Sequence, residues 1–314
     1  MTFSYDPQVR AAMFKLPRRA DVPAFQRGDV AALRALLASL EYAMDIPMPS
    51  ACDVRVTSFE ARVGDGTALS LKWYSRASAV NGPAVVYLHG GGMIHGSADT
   101  YDQLVSAYVE SAGVPLLFVE YRLAPEHPHP TPLDDCYAAF VWLVDHAEML
   151  GVDPSRVAVM GDSAGGGLAA GVALVARDRG LPLARQILIY PMLDDRNTIA
   201  DESLSRFAVW TYDHNFTGWS ALLGDRIGRS DVPHAAAPAR AVSLAGVAPA
   251  YIEVGELDIF RDEDIVYAAR VASAGVPVEL HVHPGAPHAF DRLAPEADVT
   301  RRAVADRIRV LSSL

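Results

Sequence analysis

From residue 83 onward the chain is punctuated by short apolar runs: Ala84 to Leu88, Pro115 to Val119, Val157 to Met160, Gln186 to Tyr190, Ala250 to Val254 and Val278 to Val282. Runs of that kind need cover on both faces, which predicts central parallel strands. Between them the apolar spacing turns helical, over Tyr101 to Ser111, Leu133 to Leu150, Ala164 to Arg179, Asp262 to Ala274 and Ala294 to Leu311. Alternating strand and helix predicts a doubly wound α/β sheet with helices on both faces. Upstream, Val54 to Glu60 and Ala68 to Tyr74 flank Gly64-Asp65-Gly66, the pattern of a hairpin at a sheet edge. Residues 1–45 read as a peripheral helical appendage, with Asp29 as N-cap of the run Val30 to Leu40 and Pro47 and Pro49 closing it. The stretch 194–225 breaks the alternation with Phe207, Trp210, Tyr212, Phe216 and Trp219 and reads as an insertion. The main body is therefore expected in two parts, 46–193 and 226–314, with the Ala-rich stretch Ala235 to Ala241 as a loop.

Composition agrees with one large domain. The chain has 314 residues, 51% of them hydrophobic and 21% charged, enough to build a sizeable core and too apolar for disorder. Its 27 basic and 38 acidic residues leave a net charge of −11, a sign that repels phosphate backbones, so no nucleic-acid partner is expected. Cys52 and Cys136 show no CxxC spacing, and both are expected as reduced core thiols rather than a disulfide or metal site. The N-terminus carries Asp6, Arg10, Lys15, Arg18 and Arg19 instead of a signal-peptide apolar stretch. The longest small-apolar segment, Ala164 to Ala176, is too short to span a bilayer, and a cytoplasmic location is expected.

Chemistry concentrates at the ends of the predicted strands. Gly161-Asp162-Ser163-Ala164-Gly165 matches G-x-S-x-G directly after one strand and before a helix, the context in which a strained turn projects a nucleophilic serine hydroxyl. His89-Gly90-Gly91-Gly92 follows another strand, and successive glycines let backbone N–H groups turn toward a developing oxyanion. The Ala164 N–H, next to the serine, is a further candidate donor.

A serine hydroxyl needs a base held by a carboxylate. In this fold class both come from loops after later strands, in the order serine, acid, histidine. Asp258, in Gly255-Glu256-Leu257-Asp258, and His288, in His283-Pro284-Gly285-Ala286-Pro287-His288, are the candidates. Glu256, Asp262 and Asp264 remain rival acids, the last two being placed at the start of a helix, where they would serve its dipole. His281 and His283 remain rival bases, the first within the strand and the second at its end.

Taken in order, His89-Gly90-Gly91-Gly92, Tyr121-Arg122-Leu123-Ala124-Pro125-Glu126-His127-Pro128, Gly161-Asp162-Ser163-Ala164-Gly165-Gly166 and the Asp258 and His288 segments resemble the hormone-sensitive-lipase-like (bacterial type IV) esterases of the α/β-hydrolase fold. The resemblance implies Ser163 as nucleophile, His288 as general base, Asp258 as its orienting acid, the N–H groups of Gly91, Gly92 and Ala164 as oxyanion hole, and His89 as a brace for the glycine loop. It also implies that 1–45 and 194–225 form a cap, that no metal or organic cofactor is needed, and that a homodimer could form through the strand Val278 to Val282. Met93 and His129 depart from the family's usual aromatic residues and put the pocket shape, not the chemistry, in question.

The implied activity is hydrolysis of short- to medium-chain acyl esters of small molecules through an acyl-enzyme. Hydrolysis of lactones, carbamates or amides by the same triad is the enzymatic alternative. A small-ligand receptor, as in relatives that have lost the histidine, is disfavoured by the presence of His288.

Overall fold

Burial on both faces is what makes the middle strands form. In the computed structural model, which describes residues 3–15, 25–43, 53–76 and 81–314, every residue of Leu116–Val119, Gln186–Ile189 and Ala250–Gly255 is buried. The elements in chain order are α1 (Pro7–Met13), α2 (Val30–Ala43), β1 (Val54–Arg62), β2 (Ala68–Arg76), β3 (Gly82–Leu88), α3 (Ala98–Ala112), β4 (Leu116–Val119), α4 (Thr131–Asp145), α5 (Ala147–Leu150), β5 (Val152–Asp162), α6 (Ala164–Asp178) and β6 (Gln186–Ile189). They continue with α7 (Glu202–Ser205), α8 (Tyr212–Leu223), β7 (Ala250–Gly255), α9 (Arg261–Ser273), β8 (Val278–His283), α10 (Phe290–Leu293) and α11 (Asp298–Ser312).

The strands form one 8-stranded sheet in the order β1-β2-β4-β3-β5-β6-β7-β8, an α/β-hydrolase architecture with helices on both faces. The hairpin β1–β2 is antiparallel in the register Val54↔Arg76, and β2 is antiparallel to β4; every later pairing is parallel. The parallel strands therefore end on one side of the sheet, where their carboxyl-end loops gather.

Two local departures have physical causes. The long helix expected over Leu133 to Leu150 is two, α4 and α5, because His146 leaves helical geometry and turns its Nδ1 toward the Trp142 carbonyl at 2.8 Å. The C-terminal helix begins at Asp298 rather than Ala294, since α10 and Pro295 occupy the preceding turn and proline cannot supply a helical N–H. Ala235 to Ala241 is a loop that closes in one 3₁₀ turn, Pro238–Arg240, where Arg240 pairs with the fully buried Asp195.

Asp29 caps α2 as expected, its Oδ1 accepting the Ala32 N–H at 2.9 Å, while Pro47 and Pro49 lie outside the described residues. Arg34 on α2 is fixed to the main body, donating to the Ile94 and Ala124 carbonyls at 2.7 and 2.8 Å and to both oxygens of Glu126. Asp6 caps α1, and its own N–H donates to the Gly285 carbonyl at 2.9 Å. Cys136 is buried as a free thiol, and Cys52 lies outside the described residues. Among the described residues no helix is long and apolar enough to cross a membrane.

Candidate active site

β5 runs into Ser163 at φ 54°, ψ −119°, a backbone region costly for any residue with a Cβ. The turn is held from both sides: the Ser163 N–H donates to the Ile189 carbonyl at 2.8 Å, and its carbonyl accepts from Met192 N at 2.9 Å and Gly167 N at 3.1 Å. Such a turn is open only to glycines on either side. A Cβ on Gly161 would lie 2.3 Å from the Gly165 carbonyl oxygen, and one on Gly165 would lie 2.0 Å from that of Leu88.

His288 reaches this hydroxyl from the loop after β8. Its Nε2 lies 3.0 Å from Ser163 Oγ and its Nδ1 2.6 Å from Asp258 Oδ2. Asp258 follows β7, is fully buried, and spends its other oxygen on the Phe260 N–H at 3.0 Å. The two loops approach because Gly255 lacks a Cβ, which would sit 2.2 Å from the Ala286 carbonyl oxygen. Tyr190 and Phe260 meet the imidazole edge-on, with centroids 4.9 and 5.1 Å away, and fix its plane.

The glycine loop after β3 stands opposite. Gly91 and Gly92 adopt φ 106° and 63°, and among the described residues the N–H groups of Gly91, Gly92 and Ala164 meet no acceptor. His89 braces the loop: it stacks on Tyr121 with centroids 4.1 Å apart, and its Nδ1 lies 2.7 Å from the Gly90 carbonyl oxygen.

The rivals sit elsewhere. Glu256 accepts the Gly285 N–H at 2.9 Å. His281 lies within β8 beside Glu279, and His283 ends that strand near Glu253. Asp262 is exposed and pairs with Arg261. Asp264 lies in the first turn of α9, as expected, but its carboxyl takes no helical N–H. It faces the interior without a hydrogen-bond partner, and burial, with Glu263 and Asp258 nearby, raises its pKa well above the carboxylate range.

The sequence reading missed a layer beneath Ser163. Asp162, the variable position of the serine motif, accepts the hydroxyls of Tyr87 and Tyr101 at 2.9 and 2.7 Å, and the Tyr101 oxygen in turn accepts the Gly90 N–H at 3.0 Å. One hydroxyl thus joins the glycine loop to the nucleophile strand. Burial raises the Asp162 pKa even though Arg292 and the two hydroxyls favour its charged form. No motif marks these tyrosines. Their signal is weak: two buried hydroxyls that each need a partner.

Ser163 and His288 open into a cavity of about 200 Å³ lined also by Met13, Leu37, Leu40, Trp210, His214 and Arg292. α1, α2 and the approach to α8 therefore contribute walls. Of the aromatic residues expected in the insertion, Trp210 lines the cavity, whereas Trp219 and Tyr212 are buried outside it. Met93 is buried at φ 62°, and the half-buried His129 donates its N–H to the Leu222 carbonyl of α8 at 3.0 Å.

Comparison with known proteins gives one answer. A family model described as alpha/beta hydrolase fold matches residues 85–292. The carboxylesterase NlhH of Mycobacterium tuberculosis is 40% identical over 244 residues, covering 74% of this chain and 75% of the relative. An ethyl acetate hydrolase of Pseudomonas putida is 36% identical over 240 residues, covering 73% of each. Among solved structures, a bacterial heroin esterase superposes with a TM-score of 0.88 at 37% identity, covering 99% of this chain and 98% of that one. A hyperthermophilic esterase of Pyrobaculum calidifontis gives 0.85 at 29% identity, covering 99% of each.

Proposed function

The chain belongs to the α/β-hydrolase fold family, in its hormone-sensitive-lipase-like branch, and from that premise we propose that it is a carboxylic-ester hydrolase working through a Ser163–His288–Asp258 triad. The observation that carries this reading is the unbroken line of contacts from Ser163 Oγ through His288 to the buried Asp258 carboxylate, at 3.0 and 2.6 Å.

His288 Nε2 takes the serine proton as Oγ attacks the ester carbonyl, and the carbonyl oxygen becomes an oxyanion facing the N–H groups of Gly91, Gly92 and Ala164. His288 returns the proton to the leaving alcohol. Water, activated by the same imidazole, then hydrolyses the acyl-enzyme and frees the serine. Asp258 keeps the Nδ1 proton in place and stabilises the imidazolium formed in each half-reaction.

The cavity of about 200 Å³ is smaller than the ~300–1,000 Å³ of sites for drug-sized ligands, which favours short to medium acyl chains. Residues 1–45 and 194–225 act as a cap: Met13, Leu37, Leu40 and Trp210 roof the nucleophile. A homodimer through β8 is supported by its position at the sheet edge and by the exposure of Leu280 and Val282 on it.

The test is Ser163→Ala against p-nitrophenyl butyrate, with a fluorophosphonate probe in parallel. The folded variant should lose turnover by roughly a million-fold, the scale on which removal of a triad serine acts, and should not be labelled. Near wild-type turnover, or labelling elsewhere, would remove Ser163 from its role.

A further inference from the structure

Arg292 stands on α10, just past the loop that carries His288, and lines the same cavity as Ser163. Its side chain is half-buried, with the guanidinium carbon 4.6 Å from the centroid of the Tyr101 ring. The Nε–H is sealed from solvent without an acceptor, and no hydrogen bond joins the side chain to any described residue.

Neighbouring carboxylates do not use these donors. Asp162 is satisfied by Tyr87 and Tyr101, while Asp291 accepts from the Tyr190 hydroxyl at 2.9 Å and from Arg307 at 2.5 Å. The other arginine of this region, Arg307, is fully engaged with Glu253, Asp291 and Tyr108. Burial by itself would lower the Arg292 pKa, but the hydroxyl of Tyr101 and the carboxyl of Asp162 hold it above its ordinary value, so the side chain stays a cation.

A guanidinium offers five N–H donors in a planar fork that matches a carboxylate; here the Nε–H is unmet away from water, which is costly, while the two terminal nitrogens are not sealed from solvent. The cavity sets this cation among apolar Met13, Leu37, Leu40, Val209 and Leu293 and the polar Tyr101, Asp162, His95 and His214, and Arg292 is the one arginine or lysine that lines it among the described residues. We propose that Arg292 is an anion-binding subsite of the catalytic cavity, and that the preferred substrates are small esters bearing a free carboxylate. This rests on the hydrolase reading above and narrows its substrate class. The carboxylate docks on Arg292 as the ester carbonyl meets Ser163, so the anion sits on the acyl or the alcohol side of the bond according to which fits the separation.

The experiment compares kcat/KM for matched methyl and acetyl esters by proton release at fixed ionic strength. Monomethyl glutarate against methyl pentanoate tests an acyl-side carboxylate, and 4-acetoxybutyrate against butyl acetate tests an alcohol-side one. In the wild type, one of the two anionic esters should exceed its neutral partner by about 10- to 100-fold, the range expected for a hydrogen bond to a charged group. That ratio should collapse in Arg292→Gln and persist in part in Arg292→Lys. Calorimetry with glutarate should show binding to the wild type and none to Arg292→Gln. If Arg292→Gln fails to fold, the wild-type ratios and the inhibition of wild-type butyl acetate hydrolysis by glutarate, but not by pentanamide, decide the matter alone. Ready hydrolysis of the neutral esters with both ratios at or below one overturns the subsite and leaves the hydrolase standing. Glutarate binding that needs Arg292, with no ester turned over, keeps the subsite and overturns the hydrolase.

Discussion

At the scale of single residues the site depends on atoms that are missing. Gly165 brings the first turn of α6 against the Leu88 and His89 carbonyls, where a methyl group would lie 2.0 and 2.5 Å from their oxygens. Since those atoms are backbone, they cannot rotate away. Gly165→Ala should therefore cost about 1–3 kcal/mol of stability, the range for forcing an extra methyl into a packed interior. It should also lower kcat by about 100-fold, as a misplacement of about 1 Å does at a reacting centre. Thermal melts and steady-state kinetics on p-nitrophenyl butyrate check both, and an unshifted melting point would show that the helix can slide. The same scale explains what could be read in advance. Ser163, Asp258 and His288 were legible because each stands in a short signature just past an apolar run. Tyr101 and Arg292 were not, because the meaning of each lies in a contact across a fold that no local spacing records.

Among the elements, α2 is held to the main body by both apolar and polar contacts. It has Leu33 and Leu36 buried, and the polar link of Arg34 to two carbonyls and to Glu126 ties it to the loops after β3 and β4. Arg34→Ala removes that fork while Leu37 and Leu40 stay tethered only by apolar contact. The expected result is a loss of about 1–3 kcal/mol, the range for hydrogen bonds to a charged group, with KM rising several-fold and kcat little changed. Arg34→Lys should not restore KM, because an ammonium lacks the fork. A KM unchanged in Arg34→Ala would show that α2 needs no polar anchor. The elements themselves were legible to differing degrees. Strands β3 to β7 follow from burial on both faces; β8, expected to need the same cover, is instead an edge strand with Leu280 and Val282 exposed, and the α2 cap follows from Asp29. The break at His146 and the late start of α11 depend on one side-chain hydrogen bond and one proline, which apolar periodicity averages over.

For the molecule as a whole, acid stability rests on a buried ionic cluster. Arg307 on α11 donates to Glu253 of β7 and Asp291 of α10, and thereby pins the last helix against the sheet. Burial alone would raise the Glu253 pKa, but Arg307 and His283 bring it down to about 2. A carboxylate with a lowered pKa adds stability that is complete above its unfolded value of ~4.3 and is lost as pH falls toward 2. Glu253→Gln should thus be less stable than the wild type at pH 7 by about 3–5 kcal/mol, since it strands part of a buried pair. The gap should narrow between about pH 5 and pH 2, as the wild-type group takes up its own proton. Melting curves across that interval give the answer, and parallel curves for the two proteins would exclude Glu253 as the source.

The order in which the strand ends contribute to the site has a bearing on how the chain is made. The serine turn follows β5, the acid follows β7, and the imidazole comes only at residue 288 of 314, after β8. A ribosome must deliver every strand of the sheet before the hydroxyl has anything to give its proton to. Shorter products carry an alcohol without its base, and under the triad reading hydrolytic competence cannot precede synthesis of the loop after β8.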